Sequence, residues 1–187
     1  MTINLKKGGR INLAKEAPGL VRVGVGLGWD VSNYDNTFDL DTSAFMLTEQ
    51  GKIPSDEFFV FYNNLRSPDG ALVHKGDNRT GAGDGDDEML EAQLSKVQEG
   101  ITDILFVVTI HDAEIRNQNF GQVKNAYIRI YDLDTHAQIA QYELDEDFSY
   151  ETAVEFGRLY LKNGEWRFMA VGQGYSTGLQ GFVDKYA

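Results

Sequence analysis

Residues Asp77 to Glu88 put five carboxylates and three glycines into twelve positions, with Arg79 as the one base among them. Two carboxylates about 5 Å apart repel by roughly 3 kcal/mol at an effective dielectric near 20, so a loop of this composition needs a counter-charge. The glycines at 81, 83 and 85 free the backbone to turn its carbonyls inward. Carboxylates and carbonyls together are the hard oxygen donors that Ca²⁺ takes in sets of about six to eight.

Two further polar islands can supply the same chemistry. Trp29 to Asp41 carries four aspartates, at 30, 35, 39 and 41, and no base. A strand starting at residue 40 puts Asp39 and Asp41 on one side, about 6.6 to 7 Å apart along the chain, where they can face one ion or two neighbouring ones. Taken alone, this segment reads equally well as a solvated loop. Asn63 and Asn64 sit between an apolar run and a Ser67-Pro68-Asp69-Gly70 turn. They offer amide oxygens, although turn formation is the commoner use of such a pair.

Other chemistries fit less well. The Asp77 loop has the end residues of an EF-hand, but Arg79, Gly81 and Ala82 fill inner positions that the motif reserves for ligands and a glycine. It has no lysine for a phosphate loop, and its anions repel phosphate unless a cation bridges the two. His111-Asp112 has the residue types of a base and its orienter, yet neighbours on a strand point to opposite faces, which predicts one core and one surface residue. A metal-assisted hydrolase using Asp112 or Glu88 as base needs open coordination positions, and a loop this rich in ligands leaves few. Membrane docking by residues 76–88 lacks an apolar tip.

Composition narrows the classes further. Twenty-nine acids against seventeen bases leave a net charge of -12, which opposes binding to nucleic acid or to an anionic membrane surface. With no cysteine, disulfides, thiolate catalysis and thiolate metal sites are excluded. His74, His111 and His136 are too far apart for a local zinc pattern. The start of the chain lacks a signal-peptide core and no run reaches the ~18 apolar residues of a membrane span, so a cytoplasmic location is expected.

The elements that must position these residues read as strands. Val21, Val23, Val25 and Leu27 alternate with Arg22, Gly24, Gly26 and Gly28, the period of a half-buried strand, and Leu40 to Leu47 is a second run. Phe58 to Tyr62 and Ile104 to Ile110 are short, continuous and rich in β-branched and aromatic residues, as central strands are. Tyr127 to Tyr131 and Ile139 to Leu144 flank a polar turn, and Val154 to Leu161 and Trp166 to Val171 bracket Asn163-Gly164, so each pair predicts a hairpin. Leu90 to Leu94 is better read as strand than helix, while Ala113–Asn119 and Leu179–Tyr186 each suit a helical turn. The sum is a mostly β chain, a single domain over residues 1–187: an antiparallel β-sandwich with acidic metal-binding loops and one or two short helical turns. Loops at one end of a sandwich cluster, so the three polar islands can meet.

An ordered series of motifs carries a family resemblance. It runs through Val25 to Asp30, Phe38 to Phe45, Phe61 to Leu65 with Ser67 to Gly70, Gly76 to Gly81 and Gly83 to Glu88. It continues through Val108 to Ala113, Phe120 to Val123, Asn163 to Trp166 and Ala170 to Tyr175, nearly the whole chain. Together these motifs resemble the TerD family of tellurite-resistance and stress-response proteins. The resemblance implies a bacterial cytoplasmic β-sandwich without enzymatic activity, binding two Ca²⁺ ions through acidic loops. The implied ligand positions are Asp39, Asp41, Asn63, Asn64, Asp77, Asn78, Asp84, Asp86, Asp87 and Glu88. The implied partners are other tellurite-resistance and stress proteins, membrane-associated ones among them. The alternative is a Ca²⁺-bridged binder of phospho-ligands or anionic lipid head groups. Lacking thiols, the chain cannot itself reduce or trap tellurite through cysteine, so any protection is indirect.

Overall fold

The computed structural model describes residues 1–31, 38–76, 85–144 and 148–187. The strands are β1 (Ile3–Leu5), β2 (Arg10–Asn12), β3 (Arg22–Val31), β4 (Leu40–Thr48), β5 (Phe59–Val60) and β6 (Leu72–His74). They continue with β7 (Glu88–Gln93), β8 (Ile101–Ile110), β9 (Val123–Asp132), β10 (Gln138–Glu143), β11 (Ala153–Lys162) and β12 (Glu165–Tyr175). Three short α-helices, α1 (Leu13–Glu16), α2 (Ala113–Arg116) and α3 (Leu179–Tyr186), and three single 3₁₀ turns, Asp56–Phe58, Leu94–Lys96 and Phe120–Gln122, complete the described elements.

Among the described residues these strands form two sheets of six, ordered β1-β10-β9-β3-β7-β6 and β2-β12-β11-β8-β4-β5. Every pairing is antiparallel except that of β1 with β10. The first twelve residues tie the sheets together, since β1 edges one sheet and β2 the other. Val23, Val25, Leu27, Leu90 and Ile130 of the first sheet and Leu40, Ala44, Ile104, Phe106 and Leu159 of the second belong to one buried core. Both expected hairpins form, and Asn163 and Gly164 turn the second with φ of 54° and 74°.

Two strand readings are corrected. Phe58 to Tyr62 yields only β5, two residues at a sheet edge, not a central strand. Its aromatic richness has another cause: Phe59 stacks on Phe45 at 4.5 Å and on Phe61 at 4.3 Å, and α3 sets Tyr186 5.2 Å from Phe45. β3 is buried on both faces, not one. Its glycines leave room for side chains lying flat on the sheet: a Cβ at Gly24 would meet the Tyr131 ring, one at Gly26 the Asp86 carboxylate and one at Gly28 the Tyr127 ring.

Helix α3 closes the other sheet's outer face. Tyr186 and Phe182 are buried against Phe45, and Ile53 donates its N–H to the Tyr186 carbonyl at 2.8 Å. Buried Glu155 accepts from the Tyr186 hydroxyl and, at 3.1 Å, from Lys185 Nζ.

Candidate functional site

Strand direction decides which loops meet. β3, β8, β10 and β12 finish at the end of the sandwich where β4, β7, β9 and β11 begin. The segments around residues 38–41, 61–65, 85–88, 111–122 and 144–152 therefore share one pole. It holds Asp39, Asp41, Asn63, Asn64, Asp86, Asp87 and Glu88; Asp77, Asn78 and Asp84 lie outside the described residues.

Asp86, Asp87 and Glu88 diverge as the chain enters β7. Asp86 lies over the outer face of its sheet, where Arg129 Nε donates to both its oxygens at 2.8 Å and the Tyr127 hydroxyl donates at 3.0 Å. Arg129 Nη2 adds an ion pair at 2.7 Å. The hydrogen bonding to Asp86 holds the Arg129 pKa up, and burial followed by the Asp86 charge does the same for Tyr127. This carboxylate already has its counter-charge in the protein.

Asp87 turns to the end of β3 and accepts the Trp29 N–H at 2.8 Å. Burial raises its pKa, against the pull of that hydrogen bond. It lines an open cleft of about 410 Å³ with Trp29, Asp30, Asn125, Tyr127 and Glu143. Asp30 and Glu143 were not among the expected ligands. Asp30 sits in a visibly acidic segment, and Glu143 opens the equally acidic run Glu143-Leu144-Asp145-Glu146-Asp147, a signal in the sequence that the expected set missed; its register opposite Tyr127 brings it to the cleft.

Glu88 points into the mouth of the sandwich and is 2% exposed. The short β5 pairs with β4 only at Ala44 and Phe45, so among the described residues no strand covers the β5-side edge of β4 at Thr42. Glu88 Oε2 accepts the Thr42 N–H at 2.8 Å, and His74 Nε2 lies 3.1 Å from the Thr42 carbonyl. Because His74 Nδ1 accepts the Gly76 N–H at 3.1 Å, the ring carries its proton on Nε2 and donates to Thr42. Two side chains thus complete a β ladder. Burial pushes the Glu88 pKa up, opposed by the hydrogen bonds from His74 and Thr42. Its second oxygen, Oε1, is buried without a hydrogen-bond partner among the described residues, as is Asp39 Oδ1.

Asp39 prolongs the β4–β8 ladder by accepting the His111 N–H at 2.8 Å. Asp41 is buried two residues on, with Oδ2 3.9 Å from His111 Nδ1. His111 Nε2 is 3.3 Å from Asp112 Oδ2, so these neighbours do meet. The expectation that they part fails because Asp112 has φ of 51°, and left-handed backbone breaks strand alternation. A carboxylate thus faces each ring nitrogen, and His111 joins two acidic groups.

Asn64 donates its side-chain amide to the carbonyls of Glu57 and Phe59, at 3.0 and 2.7 Å, and so closes the turn after β5. Asn63 is exposed on the same turn. Among the described residues, no three His, Cys, Asp or Glu side chains converge on a metal position. Any complete ligand shell must therefore draw on further donors.

The sequence model of the TerD domain matches residues 1–186. The chain is 53% identical to the tellurium resistance protein TerD of Serratia marcescens, over all of this chain and 97% of that one. It is 52% identical to general stress protein 16U of Bacillus subtilis, with the same coverage. Among solved structures, a Streptomyces coelicolor homologue of the telluride resistance protein TerD matches with a TM-score of 0.70 at 24% identity, covering 88% of this chain and 95% of its own. At that identity the likeness speaks for the fold. By the extent of the domain match and the identity to full-length relatives, this chain belongs to the TerD domain family.

Proposed function

We propose that this chain is a calcium-binding module of a tellurium-resistance or wider stress response, with two Ca²⁺ ions at the acidic pole, acting through protein partners in the cytoplasm and not by catalysis. The observation that carries the reading is Glu88: a carboxylate 2% exposed, one oxygen on a backbone N–H and the other without a partner among the described residues. A buried carboxylate either stays protonated or finds a cation. Asp39 Oδ1, likewise without a partner among the described residues, and the buried Asp41 lie just before Thr42 in the chain and offer oxygens of the hard type that calcium takes.

Asp87, Asp77, Asn78 and Asp84 provide the further oxygens that this reading needs, and Asn63 and Asn64 rank below them. Asp86 acts as an anchor through Arg129. Bound calcium supplies the positive charge that lets these groups stay ionised at close quarters. The relatives' names, tellurium resistance protein and general stress protein, support the physiological half of the proposal.

If calcium binds only the folded state, free ion at about 1,000 times Kd stabilises it by roughly 4 kcal/mol per site. Calorimetric titration of metal-free protein with Ca²⁺, paired with melting in chelator, tests this. A flat titration and a melting temperature indifferent to chelator would reject it.

A further inference from the structure

Beside the acidic pole, on the β4–β8 side, lies a second open cleft of about 380 Å³. Its lining is of two kinds. Asp41, Asp112 and Glu114 bring carboxylates, whereas Tyr62, Ile115 and Leu179 bring apolar surface. Ile115 is 86% exposed on the single turn of α2, whose inward residue is Ala113. A four-residue helix gains nothing in stability by holding an isoleucine in water. Tyr150 stands 81% exposed two residues from Thr152, which lines the same cleft, and Tyr62 and Leu65 are also exposed at this end. Large apolar side chains left in water near one cleft mark an interaction surface.

We propose that this cleft docks a basic amphipathic segment of a partner protein, with its Lys or Arg side chains over Asp112 and Glu114 and its apolar side chains on Ile115 and Tyr62. Charge selects this occupant. Asp112 and Glu114 lie outside the set of candidate metal ligands, so a bound ion does not cancel them; His111, which also lines the cleft, faces Asp112 at 3.3 Å, so three carboxylates stand against one imidazole there, and the whole chain carries -12. Negative potential at a rim speeds encounter with a basic partner and repels acidic ones, including an anionic lipid surface. Tyr62 adds a ring face on which a guanidinium can rest. The inference rests on the reading that the chain works through protein partners.

The test is fluorescence anisotropy in calcium-containing buffer with a labelled peptide of alternating leucine and arginine. A leucine–glutamate peptide and phosphatidylserine vesicles form the comparison arms. The leucine–arginine peptide is expected to bind, more weakly as salt rises. Ile115→Ser, and separately the pair Asp112→Asn with Glu114→Gln, are each expected to weaken it about tenfold. All three side chains are exposed and asparagine tolerates the left-handed backbone at 112, so the variants should melt like the parent. No peptide binding, equal binding by the charge variant, equal binding of the acidic peptide, or binding to vesicles alone would overturn the proposal. Calcium stoichiometry on the same samples separates the two readings. Peptide binding without any calcium site rejects the metal, and calcium binding without peptide rejects the dock.

Discussion

Glu88 and Thr42 belong to different sheets, and the 2.8 Å hydrogen bond from the Thr42 N–H to the Glu88 carboxylate bridges the mouth of the sandwich. The same carboxylate is therefore both a strut between the sheets and the leading candidate for holding an ion. Glu88→Gln separates the two roles, since an amide oxygen can still accept the Thr42 N–H. The metal-free variant is expected to melt at or above the parent, because a desolvated charge has gone. Its calcium-induced gain should fall by about 4 kcal/mol, on the order of 10 °C in melting temperature. Calorimetry with and without chelator reads both.

Asp86 and Arg129 form a pair that explains why one acidic residue of the loop is an anchor. Arg129→Met leaves the Asp86 carboxylate against the sheet without its cation and should cost about 2 kcal/mol. Adding Asp86→Asn should recover most of the loss. Urea denaturation of the single and double variants measures the coupling.

Gly26 faces that same carboxylate, and a Cβ there would collide with Asp86 Oδ2. Gly26→Ala is expected to displace Asp86 and destabilise by about 1 to 3 kcal/mol. Gly164→Ala tests a different cost, because no described residue beyond its chain neighbours lies within 4 Å of its Cβ position and the positive φ is what resists. The loss there should be about 1 kcal/mol. Denaturant midpoints distinguish the two.

Lys185 is the basis of a pH prediction. Although burial works against its charge, hydrogen bonds to Tyr175, Tyr186 and Glu155 raise its pKa above the ordinary 10.5. A raised pKa adds stability that is complete below the unfolded value and is lost as pH climbs through the folded one. The parent should therefore exceed Lys185→Met by up to about 1 kcal/mol at pH 8, and the gap should close in strongly alkaline solution. Melting curves against pH provide the check.

Much of the fold was legible because alternation and turn chemistry are local. The runs at 40–47 and 104–110 and the Asn163-Gly164 hairpin sit where their residues indicate. The short β5 misled because aromatic stacking beneath α3 imitates the composition of a central strand. The glycines of β3 misled because room for Tyr131, Asp86 and Tyr127 looks, in sequence, like a solvent-facing side. At the pole, charge density marked segments that the fold gathers at one end but could not sort their residues. Asp86 and Glu88 differ by two positions, yet one meets Arg129 from β9 and the other meets Thr42 from the opposite sheet. Those partners are 43 and 46 residues away, and only the closed sandwich brings them near.

The central claim is that the acidic pole holds calcium, and native mass spectrometry of the intact chain across a calcium series tests it most directly. The account predicts two Ca²⁺ ions per chain, with occupancy lowered by Glu88→Gln and unchanged by Ile115→Ser. A chain that stays metal-free throughout, or that takes up calcium identically in the parent and Glu88→Gln, would contradict it.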